Sequence, residues 1–241
     1  DVASFREVLK GAVAAAGRGE EIITLGITPH RPETGYGYIC RGEVLDTFNG
    51  TPACRVASFL EKPDYHRALE FISSGNYLWN SGMFIWRIDL IIQLINKHTP
   101  RLAEGLQKIG QALGGGRYAE VLAEVYAGLP KISVDYGILE KADRVLVMPG
   151  DFGWDDIGSW TALERYSGKD ENGNSLEGDG VLIDTRDTYV YSPGKTVALI
   201  GVENLIVVND RDTLLICHRD RAQEIKRAVR ALRDKGLKKV L

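Results

Sequence analysis

The chain is poor in the residues that build disulfide frameworks and metal clusters. Its 241 residues include three cysteines (Cys40, Cys54, Cys217) and four histidines (His30, His66, His98, His218), all in separate stretches. An odd cysteine count without metal-ligand spacing excludes a disulfide scaffold and points to a reduced, cytoplasmic protein. Scattered histidines support neither a metal triad nor a nucleophile–histidine pair. No apolar run approaches the roughly 18 residues of a membrane span. Charge of one sign is not in excess either, since 30 Lys and Arg stand against 33 Asp and Glu. The basic stripe of a nucleic-acid binder is therefore missing. Neither a Gly-x-Ser-x-Gly elbow nor a Gly-x-x-x-x-Gly-Lys phosphate loop occurs. The first residue is Asp1 rather than Met, and it leads straight into a helix-like pattern, as expected of a fragment.

What is there reads as alternating helices and strands. Val2, Phe5, Leu9, Ala12, Val13 and Ala16 form one helical stripe behind Asp1. Residues 22–27 are a short apolar run suited to a strand buried on both faces. Strands are expected at 36–45 and 55–62 around a turn-rich 46–52, and again at 83–86 and 144–148. Helices are expected over 64–72, 89–97 and 133–142, with two more inside 101–127 broken at Gly114-Gly115-Gly116. This pattern implies an α/β layered core. The character changes after Asn172-Gly173-Asn174. Five β-rich runs begin at Val181, Tyr189, Val197, Leu205 and Leu214, and a helix over 220–235 follows. Such regular short strands mean a small barrel, sandwich or solenoid. A larger domain over 1–170 and a smaller one over 171–241 is the expected division.

Four motifs carry chemistry. Thr34-Gly35-Tyr36-Gly37-Tyr38-Ile39 offers backbone without Cβ atoms, open to close approach by a ligand, although a lone Gly-x-Gly also fits a strand-entry turn. Phe59-Leu60-Glu61-Lys62-Pro63 puts an acid and an amine at a strand's carboxyl end, where open α/β sheets bind ligands. An exposed strand terminus with an ordinary charge pair reads equally well. Leu78-Trp79-Asn80-Ser81-Gly82-Met83-Phe84 adds a carboxamide, though Asn and Gly also favour turns. Acid and amide can read hydroxyls while an ammonium neutralises phosphate, a set suited to a phosphorylated sugar. In Gly153-Trp154-Asp155-Asp156-Ile157-Gly158-Ser159-Trp160 a carboxylate suits a magnesium ion carrying phosphates. Capping of a helix near Ser159 is the competing job for those aspartates. Ser133 or Asp135 reads as another helix cap.

These motifs, in this order and with Ser133-Val134-Asp135-Tyr136 between the last two, resemble the bacterial mannose-1-phosphate guanylyltransferases. The stretches 197–208 and 217–224 are similar too, so the resemblance spans nearly the whole chain. It implies a Rossmann-like nucleotidyltransferase core, N-terminally incomplete, with a small left-handed β-helix domain that takes part in dimer contacts. It implies condensation of mannose 1-phosphate with GTP to GDP-mannose and pyrophosphate, with Mg2+ as cofactor. Gly35, Tyr36 and Gly37 would line the sugar pocket, and Glu61 and Asn80 would bind mannose hydroxyls. Lys62 would hold the phosphate and Asp156, rather than Asp155, the metal; Lys62 and Asp156 are thus the expected catalytic residues.

One departure stands against the matches. The family's Gly-rich signature with its Arg and Lys, and its Pro-Ala-Asp-His segment, are not among these residues. An open sheet edge and little turnover by this chain alone are the expectations that follow. Outside the enzyme class, a noncatalytic sugar-phosphate-binding or assembly module is the alternative; within it, a nucleotidyltransferase for another sugar 1-phosphate.

Overall fold

A computed structural model describes residues 1–237, so the last four residues of the expected 171–241 domain lie outside it. The chain forms two compact units, Asp1–Trp154 and Asp155–Leu241. Among the described residues no helix is long and apolar enough to cross a membrane.

In the first unit, α1 (Val2–Ala16) starts at Asp1, whose carboxylate accepts from Ser4 N at 3.0 Å. Its buried face is Val8, Gly11, Ala12, Ala15 and Ala16. The stripe read from sequence is therefore rotated: Val2 and Val13 are exposed. Small residues, not the largest ones, face the sheet because they let the helix axis come close. Strand β1 (Ile22–Ile27) is buried at all six positions, in keeping with its largely apolar run.

β2 (Gly37–Phe48) and β3 (Thr51–Glu61) form one long hairpin. The turn expected over 46–52 shrinks to Asn49-Gly50, both at positive φ, the pair favoured in two-residue hairpin loops. α2 (Tyr65–Ser74) is capped by Asp64, and β4 (Tyr77–Ile85) follows. The Trp-Asn-Ser-Gly motif thus lies inside a strand rather than in a turn. It looks turn-like because β4 bulges there: Thr24 faces Phe84 while Gly26 faces Asn80, and Gly82 has φ +69°. α3 (Ile88–His98), α4 (Pro100–Ala112) and α5 (Tyr118–Gly128) come next, the last two parted at the expected triglycine. The helix expected over 133–142 is broken into α6 (Val134–Gly137) and a 3-10 turn, Leu139–Lys141, before β5 (Val145–Gly150).

The five strands close into a barrel in the order β1-β4-β2-β3-β5. β5 runs parallel to β1 through six register pairs and meets β3 at Cys54–Val147 and Arg55–Leu146. The open edge expected from sequence is therefore not found in this sheet. A five-stranded ring has a narrow interior. Ile39, Cys54, Leu78 and Val147 cluster there, one from each of four strands. The fifth strand supplies Gly26, where a Cβ would sit 2.6 Å from the methyls of Leu78 and Val147. A second layer, with Val8, Ala12, Leu25, Tyr38, Trp79 and Met148, packs under α1.

The second unit holds α7 (Trp160–Glu164) and a four-stranded sheet, β6 (Ser175–Ile183), β7 (Tyr189–Ile200), β8 (Leu205–Asp210) and β9 (Thr213–His218). β6, β7 and β8 are parallel, and β9 returns as a hairpin. The runs expected separately at Tyr189 and Val197 are two arms of β7: the first pairs with both neighbours, the second with β6 alone. A 3-10 turn, Arg219–Glu224, precedes α8 (Ile225–Asp234), so the helix expected over 220–235 has two parts. Buried Asn174, Thr185, Thr188, Ser192 and Asn209 line the inside of the coils. Asn174 Nδ2 donates to Thr185 O at 2.8 Å, and its Oδ1 accepts from Thr188 N at 3.1 Å. Such buried amides hold successive turns together because every polar group they bring is satisfied.

Candidate active site

In the first unit, register places a glycine and two polar side chains next to one another. Gly37 faces Glu61 across the β2–β3 ladder, and Tyr38 faces Trp79 across β2–β4, so Asn80 comes next to Gly37. A Cβ on Gly37 would lie 2.7 Å from Glu61 Oε2 and 3.4 Å from Asn80 Cβ. Glycine here leaves a notch into which carboxylate and carboxamide converge.

Lys62 stands at the end of β3 with φ +45°, an uncommon backbone for a non-glycine residue and one that the following Pro63 disfavours further. Its N–H donates to Tyr36 O at 3.2 Å, which ties the strand end to the glycine loop. Its ammonium pairs with Glu61 Oε1, both side chains being about half exposed. Strain of this kind persists where surrounding structure over-determines it, often at ligand sites.

The loop before β2 is pinned by two residues that sequence reading passed over. Glu33 accepts from Gly35 N at 3.1 Å and from Arg31 Nε at 3.2 Å. Arg31 donates to the Tyr36 hydroxyl at 3.3 Å, and its guanidinium lies over the Trp79 ring at 4.8 Å. Tyr36 is buried, with its ring edge-on to Trp79 and Trp154 at 5.3 and 5.6 Å. Tyr38, buried below, donates its hydroxyl to Glu33 O at 3.0 Å, and burial pushes its phenol up from the ordinary value. The signal for this brace was the Arg-Pro-Glu run ahead of Thr34, which looks like loop composition only.

Asn80 is engaged on both ends of its amide. Oδ1 accepts from Gly82 N at 3.1 Å, and Nδ2 donates to Asp135 Oδ1 at 3.2 Å. Ser81 donates to Leu25 O at 2.6 Å and holds the bulge against β1. Of the two residues read as caps for α6, Ser133 does the capping, accepting from Tyr136 N at 3.5 Å.

In the second unit, Asp155 and Asp156 have different fates. Asp155 takes a two-pronged contact from Arg165, Nε and Nη2 both at 2.8 Å, and accepts from the Tyr166 hydroxyl at 3.3 Å. Neither aspartate caps α7; Ser159 does, accepting from Ala162 N at 3.3 Å. Asp156 is exposed, its carboxylate folded against Gly158. Among the described residues no group of three or more His, Cys, Asp or Glu could hold a metal ion by itself. A single exposed carboxylate on a glycine-flanked turn nonetheless suits an ion that takes most of its ligands from water and phosphates.

Residues 2–173 match the nucleotidyl transferase family and residues 178–232 the mannose-phosphate isomerase/GMP-like β-helix domain. The xanthan biosynthesis protein XanB of Xanthomonas campestris pv. campestris (strain B100) is 39% identical over 98% of this chain and 49% of its own length. A mannose-1-phosphate guanylyltransferase of Klebsiella pneumoniae is 40% identical over 95% of this chain and 49% of its own. The chain thus spans about half the length of the curated relatives it matches. A solved structure described as a mannose-1-phosphate geranyltransferase from Thermus thermophilus superposes with TM-score 0.78 at 40% identity, covering 97% of this chain and 66% of that one. The resemblance to the mannose-1-phosphate guanylyltransferases, the nucleotidyltransferase core and the β-helix-like second domain are thereby borne out, and the chain belongs to the nucleotidyl transferase family.

Proposed function

We propose that this chain supplies the sugar-phosphate side of an enzyme that joins mannose 1-phosphate to GTP, giving GDP-mannose and pyrophosphate. The observation that carries this reading is the convergence of Glu61 and Asn80 on the Gly37 notch with the Lys62 ammonium at its edge. Glu61 and Asn80 bind the hydroxyls of mannose, in a pocket that Gly35, Tyr36 and Gly37 help to line. In the ligand-free site Lys62 is held by Glu61. An incoming phosphate draws the ammonium to itself and releases Glu61 for a hydroxyl, so one ion pair is exchanged for two ligand contacts. A phosphate oxygen of the sugar then attacks the α-phosphorus of GTP in line. The new P–O bond forms as the α–β anhydride bond breaks, and its electron pair leaves with pyrophosphate. Lys62 and Asp156 are the proposed catalytic residues. Asp156 would hold Mg2+, which neutralises phosphate charge when bound. No protein nucleophile is needed, because positioning and charge stabilisation supply the rate.

The functional division is proposed at 170/171, in keeping with family matches that stop at 173 and resume at 178. A reducing, cytoplasmic setting agrees with three unpaired cysteines. Self-association through the second unit is supported by Val181, Ile183 and Ile200, which expose apolar surface on one face of paired β6 and β7.

The reaction is tested by pyrophosphate release from GTP, mannose 1-phosphate and magnesium. The assay uses the chain alone and the chain preceded by the family's Gly-rich Arg/Lys segment. Release is expected in the second case only, and Asp156→Ala should abolish it. Release by the chain alone would overturn the half-site reading. Silence in both would leave the noncatalytic binding module.

A further inference from the structure

We infer that Asp135 is a positioning residue, which fixes the Asn80 carboxamide in one of its two flip states and so decides what that amide offers a ligand. The inference rests on the proposed sugar-phosphate reading for its functional consequence but not for its geometry.

An asparagine amide has a donor end and an acceptor end of nearly the same shape, so its orientation is set only by its partners. Asn80 has a partner of opposite type at each end. The Gly82 N–H faces Oδ1 at 3.1 Å, and the Asp135 carboxylate faces Nδ2 at 3.2 Å. Flipping the amide would set N–H against N–H and oxygen against carboxylate, two repulsions in place of two bonds. The Gly82 contact is local to the β4 bulge; Asp135 comes from 55 residues away in sequence. Its charge also makes its bond the stronger of the two.

The backbone that carries Asp135 is well anchored. α6 begins at its Ser133 cap and leads directly into Ile138 and Leu139, buried to 4% and 1% exposure. Those two pack with Ile22, Ile91 and Val145 in a core cluster of their own. Asp135 is thus held against Asn80 by the core rather than by a loose loop. With Oδ1 and one Nδ2 hydrogen occupied, the second Nδ2 hydrogen is left for a ligand oxygen. Beside it stands the Glu61 carboxylate, which can only accept while ionised. The notch then presents a donor and an acceptor side by side, matched to neighbouring sugar hydroxyls, one accepting and one donating. Without Asp135 only the Gly82 bond orients the amide, and that match is lost for part of the population.

The test compares wild type with Asp135→Ala and Asp135→Asn by two measurements. In ligand-free protein, the side-chain amide proton pair of Asn80 is followed by NMR. Wild type should show two well-separated resonances; Asp135→Ala should bring them together, and Asp135→Asn, which can still accept through its own oxygen, should restore part of the separation. By calorimetry, Asp135→Ala should weaken mannose 1-phosphate binding about tenfold, with the Asn variant intermediate. If Asp135→Ala does not fold, the Asn variant alone carries both readouts. An unchanged Asn80 pair in the variants, or unchanged affinity alongside a changed pair, overturns the inference. Failure of wild type to bind mannose 1-phosphate would instead overturn the functional reading, and the ligand-free NMR would still decide whether Asp135 orients the amide.

Discussion

The two units use polar side chains in opposite ways. In the first, Glu61, Asn80 and Lys62 gather at strand positions around a missing Cβ, and Glu61 and Lys62 remain about half exposed. In the second, Asn174, Ser192 and Asn209 sit inside the coils with their bonds directed at neighbouring turns. An asparagine in either place is hydrogen-bonded. The difference lies in what remains for a ligand: Asn174 spends its amide on Asp170, Thr185 and Thr188, whereas Asn80 keeps one hydrogen toward a notch. Function follows from unspent capacity, not from residue type.

That contrast can be broken at its strongest point first. Asn174→Ala should destabilise the second unit by about 3 kcal/mol, because buried Thr185 O and Thr188 N lose partners together. Urea denaturation measures it, and a loss under about 0.5 kcal/mol would show that water replaces the amide readily. A smaller and different effect is expected from Gly37→Ala. The added methyl meets Glu61 Oε2 at 2.7 Å, the far end of a flexible side chain, so the fold should survive while the carboxylate is pushed aside. Mannose 1-phosphate affinity should fall about tenfold with little change in thermal midpoint. A large drop in midpoint would make Gly37 a packing residue instead.

The last effect is confined to alkaline pH. Burial, with the Glu177 carboxylate accepting from its hydroxyl at 3.0 Å, pushes the Tyr189 phenol up to about 12. A phenol whose folded pKa exceeds its unfolded value of about 10 favours the folded state while neutral. Its contribution is full below the unfolded pKa and is lost as pH rises through the folded one. Stability of the second unit should therefore decline between pH 10 and 12, and Tyr189→Phe should flatten that decline. Tyrosinate absorbance followed alongside far-ultraviolet circular dichroism would separate ionisation from unfolding.

Much of this was legible in the residues. The largely apolar run of β1 announced a strand buried on both faces, and Gly114-Gly115-Gly116 marked the break between α4 and α5. The Gly37, Glu61 and Asn80 motifs could each be picked out, but their meeting depends on strand register, which periodicity does not give. Ring closure was hidden for the same reason: a strand's pattern records burial and says nothing of which neighbour it pairs with. The β4 bulge misled because Asn-Ser-Gly has turn composition whether the chain reverses or only buckles. Ser192-Pro193-Gly194 sits between two runs that read as separate strands, yet β7 passes through it, losing β8 and keeping β6. Asp135 could not be seen as Asn80's partner, because its local setting fits a cap equally well and its real contact is distant in sequence.

The central claim is that the Gly37 notch holds a phosphorylated sugar, with Lys62 on the phosphate. Its most direct test is calorimetric titration of mannose 1-phosphate into wild type and Lys62→Ala side by side. Loss of a charge-assisted phosphate contact should weaken binding by at least about tenfold, while the thermal midpoint, set by the barrel core, stays where it was. Equal affinity in the two proteins would contradict the account and return Lys62 to an ordinary strand end.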